Sequence, residues 1–444
     1  MRFDIAGAVL LLVATTAAQT TTGAHAPKTP ASKKTTQTKT MNWKAVQQSA
    51  IVVDTHADTP GRFVDQNFDP STDAGRGHWD LAKAKQANLG AEFFSIWVDP
   101  DKFKGQYVQR ALRMIDSVYE TVGKHPDEMV MAYSVKDIRA ARTGPHKRIA
   151  TLMGLEGGHV IEGDMRLLRD FYRLGVRYMT LTWANSNDWA QSSGDYKKNE
   201  NGKIVDPGLT EYGRQIVMEM NRIGMIVDIS HVSDQSFYNA LTASRAPVIA
   251  SHSSARAITN VPRNMTDDML VALARNNGVA MVNFNCGFIS DEYNRKSKQF
   301  IQDHPEDMNR LRELEQQYKE GKIDENQLQD FEGKLKNQVG RPPLSALIDH
   351  IDHMVKVAGV EHVGIGSDFD GVDCLPEGID SVADLPKITQ ALADRGYTAP
   401  QLKMILGENL LRVFADVEKT AREIQAERNK DARQVVPLPP APKQ

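Results

Sequence analysis

The sequence predicts an α/β fold, a (β/α)8 TIM-like barrel, from three observations. Eight short β-branched or apolar runs alternate with longer amphipathic segments through a single folded unit, the rhythm of a parallel sheet with crossover helices. Histidines and acidic residues fall just after several of those runs, where the strands of a barrel converge on one rim. No Gly-rich phosphate turn follows the first run, which reads Asp54-Thr55-His56-Ala57-Asp58. An open doubly wound sheet, the rival architecture, would normally carry such a turn there.

The eight runs are residues 51–53, 92–98, 149–155, 178–182, 225–229, 248–251, 279–284 and 362–365. Helical periodicity is expected over 106–122, 164–174, 209–223, 234–244, 267–276 and 344–357. Residues 290–340 break the rhythm with dense Glu, Lys, Gln and Asp. Charge alternation of that kind marks an exposed face, so two solvated helices on the outside of the barrel are expected, with a lid or dimerisation arm as the alternative.

At the start, Met-Arg-Phe precedes an apolar run from Ile5 to Ala18 that ends in small residues. This is the pattern of a secretory signal peptide, expected over 1–19, and the run is too short to span a bilayer. Residues 20–41, rich in Thr, Lys, Ala and Pro, suit a solvated linker. The barrel is expected over 42–427 and a Pro-rich tail over 428–444. The mature chain is thus expected to be exported, periplasmic or secreted, with no transmembrane span.

Composition narrows the classes further. With 41% hydrophobic and 25% charged residues the chain is ordinary globular material. A formal net charge of −3 gives no basic face for nucleic acid. The only two cysteines, Cys286 and Cys374, allow one disulfide but no thiolate metal cluster, and their pairing depends on separation in space.

The chemistry sits at the strand exits. His56 and Asp58 follow the first run, Glu156 the third, His231 the fifth, His252 the sixth and Asp368 the eighth. Side chains two apart on an extended segment point the same way, so His56 and Asp58 can grip one ion. Any one of these residues alone reads as a buried or surface polar group; six at one rim read as a metal site. Imidazole and carboxylate without thiolate suit Zn²⁺, with Mn²⁺ and Fe²⁺ chemically admissible. Three imidazoles and two carboxylates are too many for one catalytic ion and suit two ions that share a carboxylate. Such a pair can hold a hydroxide and polarise a carbonyl, the chemistry of hydrolysis at neutral pH.

The motifs VVDTHADTP, GLEGGH, VDISHVS, PVIASHSSARAI and HVGIGSDFDG together resemble the membrane dipeptidase (renal dipeptidase) family, peptidase family M19 of the metal-dependent hydrolase superfamily, over residues 43–420. The resemblance implies that His56 and Asp58 bind one zinc, His231 and His252 a second, and Glu156 both. Asp368 matches the acid that handles the proton of the bridging water, and Arg263, in VPRN, the arginine that holds the substrate. A carboxylate there can act as general base and then general acid, and an Arg fork can clamp a terminal carboxylate. The plainer alternatives are a surface ion pair for Arg263 and a turn residue for Asp368, with Asp370 equally placed for such a turn. His159 lies past the strand end and is expected to be structural. Small dipeptides, including those with a C-terminal D-residue, are the implied substrates, and a homodimer the implied assembly.

One position departs from that pattern. Family members with peptidase action carry a His in a segment like TLTH at the fourth strand exit, where it steadies the oxyanion. Here the segment is TLTWANSNDWA, and Trp183 stands in its place. An indole N–H can donate one hydrogen bond but cannot carry charge as imidazolium does. Asn185 or Asn187 can supply a donor, or Trp183 can serve as a pocket wall. Two further readings stay open: a metal-loaded binding protein with little peptidase activity, and a lactam or lactone hydrolase using the same site.

Overall fold

Eight parallel strands curl into a nearly closed barrel: β1 (Val52–Ala57), β2 (Leu89–Trp97), β3 (Ile149–Glu156), β4 (Val176–Thr180), β5 (Ile226–Asp228), β6 (Ile249–Ala250), β7 (Val279–Val282) and β8 (Val363–Ile365). This is a computed structural model that describes residues 41–72 and 77–434. The expected leader, nearly all of the linker and the Pro-rich end of the tail lie outside the described residues. Each strand pairs in parallel with the next in sequence. Every residue of β1 and of β3 is buried, the polar ones included, because both faces of a barrel strand are covered.

Closure comes from the turn after β8. Ala57 bridges Phe369, the Asp58 N–H donates to the Phe369 carbonyl at 2.8 Å, and the Asp368 N–H donates to the His56 carbonyl at 3.1 Å. One layer lower, Asp54 Oδ1 accepts from the Ser367 N–H at 2.8 Å. The GSDFD segment is thereby laced to the HAD segment more than three hundred residues earlier.

The outer layer is helical: α1 (Tyr107–Lys124), α2 (Met165–Arg173), α3 (Glu211–Ile223), α4 (Asp234–Ala243), α5 (Asp267–Arg275), α6 (Asp291–Asp303), α7 (Pro305–Lys319), α8 (Glu325–Val339), α9 (Leu344–Ala358) and α10 (Asn409–Gln434). Local chemistry sets their starts. The side chains of Thr210, Ser233 and Thr266 accept from the N–H groups of Gly213, Ser236 and Met269 and so cap α3, α4 and α5; such a cap is worth about 1 kcal/mol. Gly224, at φ 88°, takes the left-handed position that ends α3. Helix α10 continues through Gln434, past 428. Among the described residues no helix is long and apolar enough to cross a membrane.

The charged segment differs from expectation. It forms three helices, α6 to α8, and not two, with a small core of its own made by Met308, Leu311, Leu314, Tyr318, Leu328 and Leu335. Apolar residues three or four apart form one narrow stripe on each of α7 and α8, which the charged composition hides. At its root, Cys286 after β7 and Cys374 after β8 form a disulfide with Cα atoms 5.4 Å apart. Cross-linking a loop of 88 residues stabilises the fold by about 4.6 kcal/mol in the chain-entropy model.

His350, fully buried on α9, accepts the Ala255 N–H through Nδ1 at 3.0 Å. Burial pushes its pKa down to about 4. The unfolded chain takes up a proton near pH 6.5 while the native state refuses it until about pH 4. The stability this group confers is therefore complete above pH 6.5 and is lost as pH falls towards 4. Between pH 7 and pH 4.5 the wild type should lose about 2–3 kcal/mol more than His350→Gln, read as urea midpoints; parallel pH curves for the two proteins would contradict this.

Candidate metal centre

Three imidazoles converge on one carboxylate at the barrel rim. His56 Nε2 lies 3.2 Å from Glu156 Oε2, while His231 Nε2 and His252 Nε2 lie 3.0 and 3.5 Å from Glu156 Oε1. The Nε2 atoms of His231 and His252 are 2.9 Å apart, and His56 Nε2 is 3.6 Å from Asp58 Oδ2. The four central side chains are buried, Glu156 being the most open at 3% exposure. His56 Nε2 and Asp58 Oδ1 are buried with no hydrogen-bond partner. Buried lone pairs facing one another without donors are costly, and cations among them remove that cost. Donor atoms of His56, Glu156 and His252, and separately of His56, Asp58 and Asp368, lie within 4.8 Å of one another. These residues fit divalent metal.

The second ring nitrogens explain why the Nε2 atoms face inward. Tyr178 O–H donates to the Thr55 carbonyl at 3.1 Å, so its oxygen accepts from His56 Nδ1–H at 2.8 Å. Ser251 O–H donates to Asp228 Oδ2 at 2.6 Å, so its oxygen accepts from His252 Nδ1–H at 2.7 Å. Asp228 is itself held by the N–H groups of Ser230 and Ser251 and by Thr180 O–H. Such outer partners fix tautomer and ring direction. Burial, reinforced by the Arg263 cation, lowers the His231 pKa to about 4; burial, with His56 and then Arg263, holds His252 well below its usual range. Both rings therefore stay neutral and keep a lone pair.

Backbone strain is concentrated at the same place. His231 and Asp368 adopt φ of 65°, a left-handed conformation that non-glycine residues hold only when their surroundings demand it. Gly371 has no room for a side chain: a Cβ there would lie 2.0 Å from Asp58 Oδ2 and 2.6 Å from Asp368 Oδ1.

The remaining candidates separate clearly. Asp368 faces the cluster, with Oδ2 accepting from Asn283 Nδ2 at 2.8 Å. Asp370 is consumed elsewhere, accepting from Thr59 O–H, Arg62 and the His78 N–H. Arg263 is at the site and not in a surface ion pair: it donates to Ser253 Oγ at 2.6 Å and to the His252 carbonyl at 2.8 Å. Burial lowers its pKa to about 10, so it remains cationic. His159 turns away, its Nε2 bonded to the Val98 carbonyl at 2.9 Å. Asn187 is spent on its own loop, holding Leu181 O and the N–H groups of Trp189 and Ala190. Trp183 stands between the rings of Trp97 and His231, with centroids 5.0 and 6.4 Å away.

A cavity of about 240 Å³ opens above the cluster, with Asp58, Glu156 and Asp368 on its floor and Trp97 and Trp183 in its wall. Tyr318 and Glu332 of α7 and α8 also line it, so the charged insertion reaches over the rim and is not confined to the barrel's outside. Tyr318 is tied down by Lys102 Nζ, which donates to its hydroxyl at 2.7 Å. Tyr178, Asp228 and Ser251 escape sequence reasoning because a strand tyrosine, acid or serine looks like ordinary core material until its partner is known.

Comparison with known proteins gives a consistent picture. Residues 41–428 match the family model described as membrane dipeptidase (peptidase family M19). Dipeptidase 3 of Rattus norvegicus is 32% identical over 383 residues, spanning 84% of this chain and 67% of that protein. Among solved structures, the probable dipeptidase PvdM from Pseudomonas aeruginosa superposes with a TM-score of 0.69 at 23% identity, covering 85% of this chain and 98% of that one. A metallo peptidase from Rhodobacter sphaeroides, liganded with a phosphinate mimic of L-Ala-D-Ala, gives 0.66 at 22% identity over 83% of this chain and 100% of that one. These two structures establish likeness of fold.

Tyr178→Phe removes the acceptor that orients His56. Metal affinity should fall about 10- to 100-fold, measured by competition with a chromogenic chelator, with the melting temperature of the metal-free protein little changed. Unaltered affinity would show that Tyr178 does not orient the ring.

Proposed function

The chain belongs to the membrane dipeptidase family, peptidase family M19, and from that membership and the rim geometry we propose that it hydrolyses the amide bond of dipeptides using two zinc ions. The observation that carries this reading is the convergence of His56, His231 and His252 on Glu156, with Asp58 and Asp368 alongside, on the floor of one cavity. We assign His56 and Asp58 to the first ion, His231 and His252 to the second, and Glu156 to both. Two bound ions would supply a nucleophile at neutral pH and an electrophile for the carbonyl.

The protein's own groups do the rest. Asp368, steadied at Oδ2 by Asn283, takes a proton from the attacking water and delivers it to the departing amine. Arg263, pinned by Ser253 and the His252 carbonyl, clamps the dipeptide's terminal carboxylate and fixes the amide above the cluster. Helices α7 and α8 roof the cavity and limit the length of chain that fits. The Cys286–Cys374 disulfide supports an oxidising, exported setting, periplasmic or secreted.

A zinc-loaded preparation should cleave members of a dipeptide panel that includes C-terminal D-residues; a protein that cleaves none of them, yet opens a lactam or lactone, would move the assignment to that substrate class. Asp368→Asn should lower kcat at least a hundredfold, about 3 kcal/mol or more, with metal content near wild type. Metal lost in parallel would make Asp368 a ligand and not a proton carrier.

Trp183 favours a second reading, a metal-loaded binding protein of little activity, because an indole replaces the charge-bearing donor at the fourth strand exit. Trp183→His decides between them. A large rise in rate from near zero would support the binding protein, whereas loss of an existing activity would support a peptidase built around the indole.

A further inference from the structure

Beside the electrophile that bound ions would supply, a hydrolase of this kind gains from a hydrogen-bond donor to the carbonyl oxygen on which charge develops. The residues above leave that role unfilled. Asn187 is fully engaged in its loop, Asn185 Nδ2 is turned to the Ser186 carbonyl at 3.4 Å, Arg263 is assigned to the terminal carboxylate, and Arg110 at the outer wall grips Asp65 at 2.8 and 2.7 Å.

Trp97 has the missing property. It is the last residue of β2 and the register partner of Glu156 on β3. Partners across a parallel ladder point to the same face, so the indole is directed to the side on which Glu156 meets the imidazoles, and it lines the cavity above them. Its Nε1 is buried and has no hydrogen-bond partner in the protein. Buried indole N–H groups usually find an acceptor, as Trp79 does in Glu92 Oε2 at 2.9 Å. A buried donor without one is costly. The ring is held in place by Trp183, 5.0 Å away and tilted by 55°.

We infer that the Trp97 indole N–H donates the hydrogen bond that stabilises the carbonyl oxygen of the dipeptide's scissile amide, with Trp183 as the residue that positions it. This rests on the dipeptidase reading and adds the donor that reading lacks. The neutral N–H binds a carbonyl oxygen weakly and an incipient oxyanion more strongly, so its contribution falls mainly on kcat.

The variant that isolates the N–H is Trp97→Phe, which keeps an aromatic ring. In the zinc-loaded enzyme kcat should fall about 10- to 100-fold with KM within about threefold, while zinc content and melting temperature stay at wild-type values. A second measurement does not need turnover. In wild-type protein labelled at the indole nitrogens, the N–H resonance that Trp97→Phe removes should move downfield when a phosphinate mimic of L-Ala-D-Ala is added. Turnover of Trp97→Phe within twofold of wild type, or a resonance that does not move at saturating mimic, would overturn the assignment. Wild-type enzyme that cleaves no dipeptide would sink the dipeptidase reading instead, and the resonance alone would then decide whether Trp97 touches the ligand.

Discussion

The carboxylate of Glu156 is the hinge of this molecule's chemistry. Its two oxygens take three imidazoles at 3.2, 3.0 and 3.5 Å, in a place almost wholly buried. A buried charge of this kind persists only when everything near it is arranged to pay its desolvation. The outer hydrogen bonds follow from that constraint: Tyr178 and Ser251 turn the Nε2 atoms of His56 and His252 inward, and Asp228 anchors Ser251. The left-handed backbone at His231 and Asp368 and the bare Cα of Gly371 mark where the chain bends to keep the donors close.

The barrel is the device that makes such convergence attainable. A single strand contributes one or two groups, and the groups needed here are spread from His56 to Asp368. Closing β8 onto β1 through Asp54, Ser367, Asp58 and Phe369 brings the two extremes together. The loops after β7 and β8 are then linked a second time by the Cys286–Cys374 bond. That bond roots the charged helices to the rim, and the same helices place Tyr318 and Glu332 over the cavity. Stability and access to the site are thus governed by one stretch of chain.

The wall of the cavity shows how a local substitution is absorbed. An indole at position 183 cannot carry the charge of an imidazolium, yet it packs against a second indole whose N–H is buried and unsatisfied. The two tryptophans form one unit beside Glu156, aromatic in bulk and polar at a single point. Nothing in the local sequence around Trp97 or Trp183 announces that unit, since the two residues lie on different strand exits.

Much was legible in the linear chain. The alternation of apolar runs and amphipathic segments carries the period of strand and helix, so the eight strands and six flanking helices could be read directly, as could the strand-exit positions of His56, Asp58, Glu156, His231, His252 and Asp368. One strand was not read from the sequence: Met129–Met131, which pairs outside the barrel order beside β3. A narrow apolar stripe inside a charged segment was also missed, so α6 to α8 read as two solvated helices. Only the tertiary structure could separate Asp368 from Asp370 or reveal Tyr178 as the partner of His56. It alone paired the cysteines and laid the insertion across the cavity. The physical reason is the same in each case. Periodicity and residue type are properties of neighbours along the chain, whereas hydrogen-bond partners, burial of a lone pair and the reach of a side chain depend on residues that only folding brings near.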